Sequence, residues 1–140
     1  MKTFDLFNKA LQKAGTWIRE IAEEMDTEDE QLAYHALRSV LHAIRDRLVV
    51  DEAVQLAAQL PVLVRGIYYE DWDPSKTPVK VRHREEFLDL VRRHAGKYGR
   101  LDPEKAAPAV FAVLKRHVSE GEMRDVTEAL PGEIRELLAA

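Results

Sequence analysis

Residues 37–67 read LRSVLHAIRDRLVVDEAVQLAAQLPVLVRGI, and this stretch decides the fold because the chain repeats it. It aligns without a gap on residues 107–137, APAVFAVLKRHVSEGEMRDVTEALPGEIREL, at an offset of 70 positions. Apolar residues coincide along both stretches, and each contains a Leu-Pro pair, at 60–61 and 130–131. One supersecondary unit used twice usually builds a single core from its copies. We therefore predict two similar halves that pack against each other.

The first half is predicted to be helical throughout. A first helix runs from about Phe4 to Ala14 and stops at Gly15, and a second continues through Met25. Three further starts follow: a capping box of Thr27 and Glu30 opens the longest helix, Asp51 caps a shorter one, and Pro61 opens the helix Val62 to about Tyr69.

The second half repeats this order of elements. A helix with Phe87, Leu88 and Val91 comes first, and Asp102 with Pro103 then marks the start of the second long helix. Pro108 implies that this helix starts later or bends. Ser119 and Glu122 form another capping box. The segment Val79-Lys80-Val81-Arg82 is the only strand candidate, and we interpret it as an extended linker.

These elements predict an all-α fold in one domain, residues 1–140. The boundaries are a first repeat at about 3–69, a connector at about 70–82 and a second repeat at about 83–139. With 46% hydrophobic and 33% charged residues, the composition is that of a folded helical protein. We expect a single compact multi-helix bundle with about eight to ten helices, counting short ones.

Composition excludes several classes of site. The chain has no cysteine, which removes disulfide scaffolds, thiolate metal sites and cysteine nucleophiles. Its start resembles no signal peptide, and no apolar run is long enough to span a membrane, so we expect a cytoplasmic protein without membrane contact. Net charge is −4, and the acidic excess lies entirely within residues 1–70.

An aromatic block, Gly66-Ile67-Tyr68-Tyr69-Glu70-Asp71-Trp72-Asp73-Pro74, follows the first copy and has no counterpart after the second. With the Leu-Pro break and the later Arg84-Glu85-Glu86-Phe87, it makes the chain resemble the bacterial domain-of-unknown-function 2267 family. The resemblance covers nearly the whole chain. It implies an all-helical domain of two similar halves and supplies no activity or catalytic residue.

Three interpretations of the aromatic block remain open. Tyr68, Tyr69 and Trp72 combine large rigid area with one polar atom each, which suits a partner-binding surface. The interpretation we favour is that Trp72 and one tyrosine pin the connector across the gap between the copies. The least favoured is a hard-cation site on the three neighbouring carboxylates, because the spacing of a calcium loop is absent.

A polar stripe on the longest helix consists of His35, Ser39, His42 and Asp46. It lies about opposite the apolar stripe, so we expect it to face solvent and to hold no metal, since His35 and His42 are two turns apart. His94 and His117 fall near helix ends, where we expect them to cap terminal carbonyls.

Residues 76–100 are locally basic and could contact phosphates. The candidate anion-binding residues are Lys80, Arg82, Arg84, Arg92, Arg93 and Arg100. The favoured alternative is a solvated face that balances the acidic first half. An isoelectric point near 5.8 argues against a dedicated nucleic-acid binder.

No catalytic motif, cofactor motif or metal motif occurs in the sequence. Ser39, Ser75 and Ser119 lack the surroundings of a nucleophile, and the glycines form no phosphate-binding loop. We therefore expect a non-catalytic interaction module that binds a protein partner or itself. An anionic-ligand or nucleic-acid binder using residues 76–100 ranks second.

Overall fold

The computed structural model describes residues 4–140, and their regular structure is entirely helical. There are eight α-helices, joined by loops and by one 3₁₀ turn at Pro74–Lys76, with no strand among the described residues. The helices are α1 (Asp5–Glu24), α2 (Glu30–Arg47), α3 (Val50–Ala58), α4 (Val62–Tyr69), α5 (Arg84–Ala95), α6 (Pro103–His117), α7 (Glu120–Ala129) and α8 (Gly132–Ala139). The all-α fold predicted from the sequence is confirmed.

Helix α2 lies at the centre of the bundle. Helices α1, α4, α5 and α6 pack around it, so almost every side chain of its last three turns is buried. The apolar core is one continuous cluster that includes Trp17 and Leu41 from the first half and Phe87 and Val110 from the second. The chain therefore forms a single core, as a compact domain requires.

Helix bounds recur at the offset of 70 seen in the sequence. Helices α3 and α4 begin at Val50 and Val62, and α7 and α8 begin at Glu120 and Gly132. Helices α2 and α6 end at Arg47 and His117. These bounds support the two-copy interpretation, while superposition of the two units stays a prediction.

The Leu-Pro break is stabilised in the same way in both halves. Pro61 precedes α4 and has no backbone N–H to donate to the end of α3, where the Leu60 amide donates to the Ala57 carbonyl at 3.0 Å. The Arg65 guanidinium turns back and donates to the carbonyls of Ala57 at 3.0 Å and Leu60 at 2.8 Å. In the second half, Arg135 donates to the carbonyl of Leu130 at 2.9 Å.

The predicted break at Gly15 is wrong, because α1 runs unbroken from Asp5 to Glu24. Gly15 has open space around it, and a glycine inside a helix costs only about 1 kcal/mol relative to alanine. The helix ends where Asp26 takes a left-handed conformation with φ of 54°. Short polar residues tolerate this conformation better than other non-glycine residues.

Two predicted caps are displaced, and two are confirmed. The α2 cap is Asp29, which accepts from the Leu32 amide, and Thr27 instead accepts from the Asp29 amide. Asp51 lies in the first turn of α3, which begins after Val49. Asp102 and Ser119 cap their helices as predicted, but the capping box at Ser119 is incomplete, because the Ser119 amide donates to Gln59 and not to Glu122.

The remaining sequence expectations concern α6 and the linker. Helix α6 begins at Pro103 and contains Pro108, so the predicted later start is wrong. The segment 79–82 is a linker outside any strand, and the Val79 amide donates to the carbonyl of Asp46 at 2.8 Å.

Arg65→Ala is expected to lower the free energy of unfolding by about 1.5–3 kcal/mol, because two carbonyls lose a charged donor. Arg135→Ala is the matched control, since it removes one such bond at an exposed position and should cost less. Urea denaturation of both variants measures the difference. Equal losses of unfolding free energy would show that the two hydrogen bonds of Arg65 contribute no more than the single bond of Arg135.

Candidate functional site

The aromatic block divides into one buried ring and two surface rings. Tyr68 is completely buried, and its hydroxyl donates to the carbonyl of Ala53 on α3 at 2.8 Å. Tyr69 and Trp72 are half-buried and stack with ring centroids 5.4 Å apart. The buried Trp72 Nε1 has no acceptor among the described residues. Burial raises the pKa of Tyr68 far above its ordinary value, so this phenol stays neutral.

Arg45 anchors the end of this block to the central helix. Only 1% exposed, it donates through Nη1 to the carbonyls of Tyr68 at 2.7 Å and Glu70 at 2.8 Å. Its Nε donates to Asp46 at 2.8 Å. Arg38, about two turns earlier on α2, donates to Asp71 at 2.8 Å. The C-terminal end of a helix carries partial negative charge, which attracts cations. The contacts of Arg45 and Arg38 therefore fix where α4 ends.

The polar stripe on α2 does not face solvent, which corrects the sequence prediction. Ser39 and His42 are buried, and His35 and Asp46 are half-buried. Helices α4 and α5 pack on that side of α2 and cover it. The sequence pattern did not predict this burial, because it shows which face of α2 is polar and not which helices pack on that face.

His42, Asp46 and His94 form a polar network under α5. The His42 Nε2–H donates to the carbonyl of Ile67 at 2.7 Å, and His94 Nε2 lies 2.8 Å from Asp46 Oδ2. Burial, with the charges of Arg45 and Arg38, lowers the pKa of His42 to about 4, so its imidazole is neutral. Burial alone would raise the pKa of Asp46, but hydrogen bonds from His94 and Arg45 hold it below the ordinary value. The network joins α2 to α4 and α5.

The predicted capping role of two histidines is also wrong. His94 pairs with the Asp46 carboxylate rather than with helix carbonyls. His117 stacks on Trp17 with centroids 4.9 Å apart and contacts Glu20 at 3.1 Å. Both histidines therefore connect helices instead of terminating them.

The six candidate anion-binding residues do not form one site. Lys80, Arg92 and Arg93 line one shallow groove, together with the carboxylates of Glu86 and Asp89. Arg92 bonds to Asp89 at 2.6 Å. The other three residues lie apart from this groove: Arg82 lines a neighbouring one, Arg84 pairs with Glu104 and Arg100 pairs with Asp29. Carboxylates therefore lie among the basic side chains of residues 76–100.

The first half of α1 presents an apolar surface that the sequence analysis did not single out. Phe4, Leu6, Phe7 and Leu11 are between 60% and 64% exposed. Beneath this part of the helix, a groove of 680 Å³ opens toward Leu60, Pro61 and Val62. Lys9, Lys13 and Arg65 line the groove, and no carboxylate does. The signal was present in the sequence as apolar residues ahead of Gly15.

Three carboxylates meet where α3 contacts α7. Oxygens of Glu52, Glu122 and Asp125 lie within 4.8 Å of one another. Burial, followed by the adjacent Glu52, raises the pKa of Glu122 to about 7. Sequence reasoning missed this cluster, although the 70-residue offset aligns Glu52 with Glu122.

The fold and these sites define an all-helical bundle without a recognisable catalytic constellation among the described residues. The family described as uncharacterized conserved protein, DUF2267, matches residues 14–137. The chain therefore belongs to the DUF2267 family, as the aromatic block and its surroundings indicated. A comparison with curated proteins gives no significant match. None of the helices described at residues 4–140 has both the length and the apolar character needed to cross a bilayer.

Tyr68→Ala is expected to lower the free energy of unfolding by about 3–5 kcal/mol, because it empties a fully buried aromatic position. Tyr68→Phe keeps the ring and loses only the bond to Ala53, at about 1 kcal/mol. Tyr69→Ala and Trp72→Ala remove half-buried rings and should fall between these values. Denaturant unfolding ranks the four variants, and a Trp72→Ala loss larger than that of Tyr68→Ala would contradict this order.

Glu122 should make the free energy of unfolding fall as pH rises toward 7. Its ordinary pKa is 4.5, so between that pH and about 7 the folded state keeps a proton that the unfolded chain releases. His42 contributes the opposite slope up to pH 6.5, because its folded pKa of about 4 lies below its ordinary value of 6.5. Glu122→Gln should therefore make stability rise more steeply with pH than in the parent protein. Thermal unfolding at several pH values in EDTA measures it, with Glu128→Gln as a control on the exposed side of α7. A Glu122→Gln profile with the same slope as the parent profile would refute the assignment.

Proposed function

We propose that this protein is a non-catalytic interaction module that associates with a second copy of itself through the first half of α1. The observation that carries the proposal is the apolar stripe formed by Phe4, Phe7 and Leu11. Large apolar patches that no part of the chain covers are typical of interaction sites. The sequence analysis left two partners open, another protein and a second copy of the chain. The pattern of apolar residues along α1 favours the second copy.

Apolar residues along α1 follow a heptad pattern, with steps of three and four. The seam consists of Phe4, Phe7, Leu11, Ala14, Ile18, Ile21 and Met25. Ile21 and Met25 are buried against the bundle, whereas Phe4, Phe7 and Leu11 continue the same seam beyond the part that the core covers. A heptad seam fits a second helix of the same kind.

An antiparallel pair of α1 helices makes this seam complementary to itself. With the two-fold axis near Lys9, Phe7 lies opposite Leu11 of the second copy, and Asp5 lies opposite Lys13 of the second copy. The residues that flank the seam, Asn8 and Gly15, carry no charge and let the helices approach closely. These features support an isologous dimer.

The expected affinity is moderate. Covering Phe4, Phe7 and Leu11, which are about 60% exposed, contributes roughly 3–5 kcal/mol per copy. Two copies together gain roughly 6–10 kcal/mol, which is similar to the cost of association, about 4–15 kcal/mol. We therefore propose a reversible dimer in a bacterial cytoplasm, whose reducing conditions suit a chain without cysteine.

The second candidate function is binding of an anionic ligand or nucleic acid through residues 76–100. Lys80, Arg92 and Arg93 around one groove support it, and the acids in that groove weigh against it. The two functions respond differently to salt. Phosphate binding weakens steeply as salt rises, while an apolar contact does not.

Sedimentation equilibrium should show a reversible dimer for the parent chain. Phe7→Glu and Leu11→Glu should each weaken association at least about 100-fold, because they place a charge in an apolar seam. Val54→Glu is the control, since Val54 is an exposed apolar residue on α3 outside the seam and the groove.

Circular dichroism checks that each variant keeps its helices. A parent chain that stays monomeric at submillimolar concentration, or a dimer that Phe7→Glu leaves intact, would contradict the proposal. A heterologous complex lost in Phe7→Glu, with a monomeric parent, would assign the same surface to another protein.

A further inference from the structure

The contact between α3 and α7 brings together equivalent positions of the two halves. Glu52 lies in the first turn of α3, and Glu122 lies 70 residues later in the first turn of α7. Asp125, one turn beyond Glu122, adds a third carboxylate whose oxygen is within 4.8 Å of the other two. Two helices therefore contribute acids to a single point.

One carboxylate oxygen of Glu122 is buried in this cluster without a partner. The residue is only 9% exposed, and its buried Oε2 has no hydrogen-bond donor among the described residues. The buried Oε1 of Glu52 also lacks a donor. Buried carboxylate oxygens are nearly always bonded, so an unpartnered buried acid that points at two other acids indicates a missing positive group.

The side chains of the described residues do not supply that positive group. In residues 4–140 no arginine, lysine or histidine forms an ion pair with Glu52, Glu122 or Asp125. One shared proton would neutralise a single carboxylate and leave two negative charges within the cluster. A divalent cation offsets two of the three negative charges and also satisfies the oxygens that lack donors.

We propose that Glu52, Glu122 and Asp125 bind one hard divalent cation of the Ca²⁺ type between α3 and α7. Carboxylate oxygens are the ligands that Ca²⁺ and Mg²⁺ use in proteins. Ca²⁺ accepts about 6–8 oxygen ligands in flexible geometry, while Mg²⁺ requires near-ideal octahedral geometry, so carboxylates from two helices suit Ca²⁺ better. Exposed Asp125 opens the site to solvent, which supplies an entry path and water ligands.

Calorimetric titration of EDTA-treated full-length protein with CaCl₂ tests the site. We expect about one Ca²⁺ per chain and a higher unfolding temperature with Ca²⁺ than with Mg²⁺ or Mn²⁺ at equal concentration. Glu122→Gln and Asp125→Asn should each weaken Ca²⁺ binding at least about 10-fold. Glu128→Gln, an exposed acid on the same helix, should leave it unchanged.

Asp125→Asn keeps the test decisive if Glu122→Gln does not fold, because Asp125 is exposed. Absence of binding and of stabilisation with all three cations would overturn the proposal. Equal loss in Glu128→Gln and Asp125→Asn would assign the effect to general surface charge. Stabilisation by Mg²⁺ alone would overturn the choice of a Ca²⁺-type ion.

Discussion

The buried guanidinium of Arg45 is the constraint on which the arrangement of the first half depends. It joins the central helix to the carbonyls of Tyr68 and Glu70, where α4 ends and the connector begins. A buried charge is costly unless paired and hydrogen-bonded, and here Asp46 and two carbonyls satisfy it. Because those partners come from α2 and from the end of α4, the charge is satisfied only when α4 lies against α2. Arg45 thereby positions the aromatic block.

The same constraint explains why the central helix carries polar residues inside the bundle. His42 donates to Ile67, Asp46 accepts from Arg45 and His94, and the Val79 amide donates to the Asp46 carbonyl. All of these bonds except the one between Arg45 and Asp46 cross from α2 to another segment. Buried hydrogen bonds of this kind favour one packing arrangement, although the buried Ser39 Oγ and His42 Nδ1 have no partner among the described residues.

The two halves use one pattern with different side chains. Position 45 is arginine in the first copy and its counterpart is the exposed Lys115, while Asp46 aligns with Arg116. Arg116 forms ion pairs with Glu20 and Glu24 and therefore contacts α1, whereas Arg45 contacts the C-terminal end of α4. Apolar residues that recur at the offset of 70 thus pack into one core. Polar residues at equivalent positions differ, and they contact α4 in the first half and α1 in the second.

The sequence alone determined the helical class, the offset of 70, the Leu-Pro breaks and the caps at Asp102 and Ser119, because periodicity and capping are local properties of the chain. It also identified the aromatic block, although not which ring is buried. Only the tertiary structure decided that the His42 stripe is interior, that the stripe on α1 is uncovered and that Glu52 meets Glu122. These outcomes depend on which helix packs on which face. Residue spacing within one helix carries no information about that packing, so no local pattern could have supplied it.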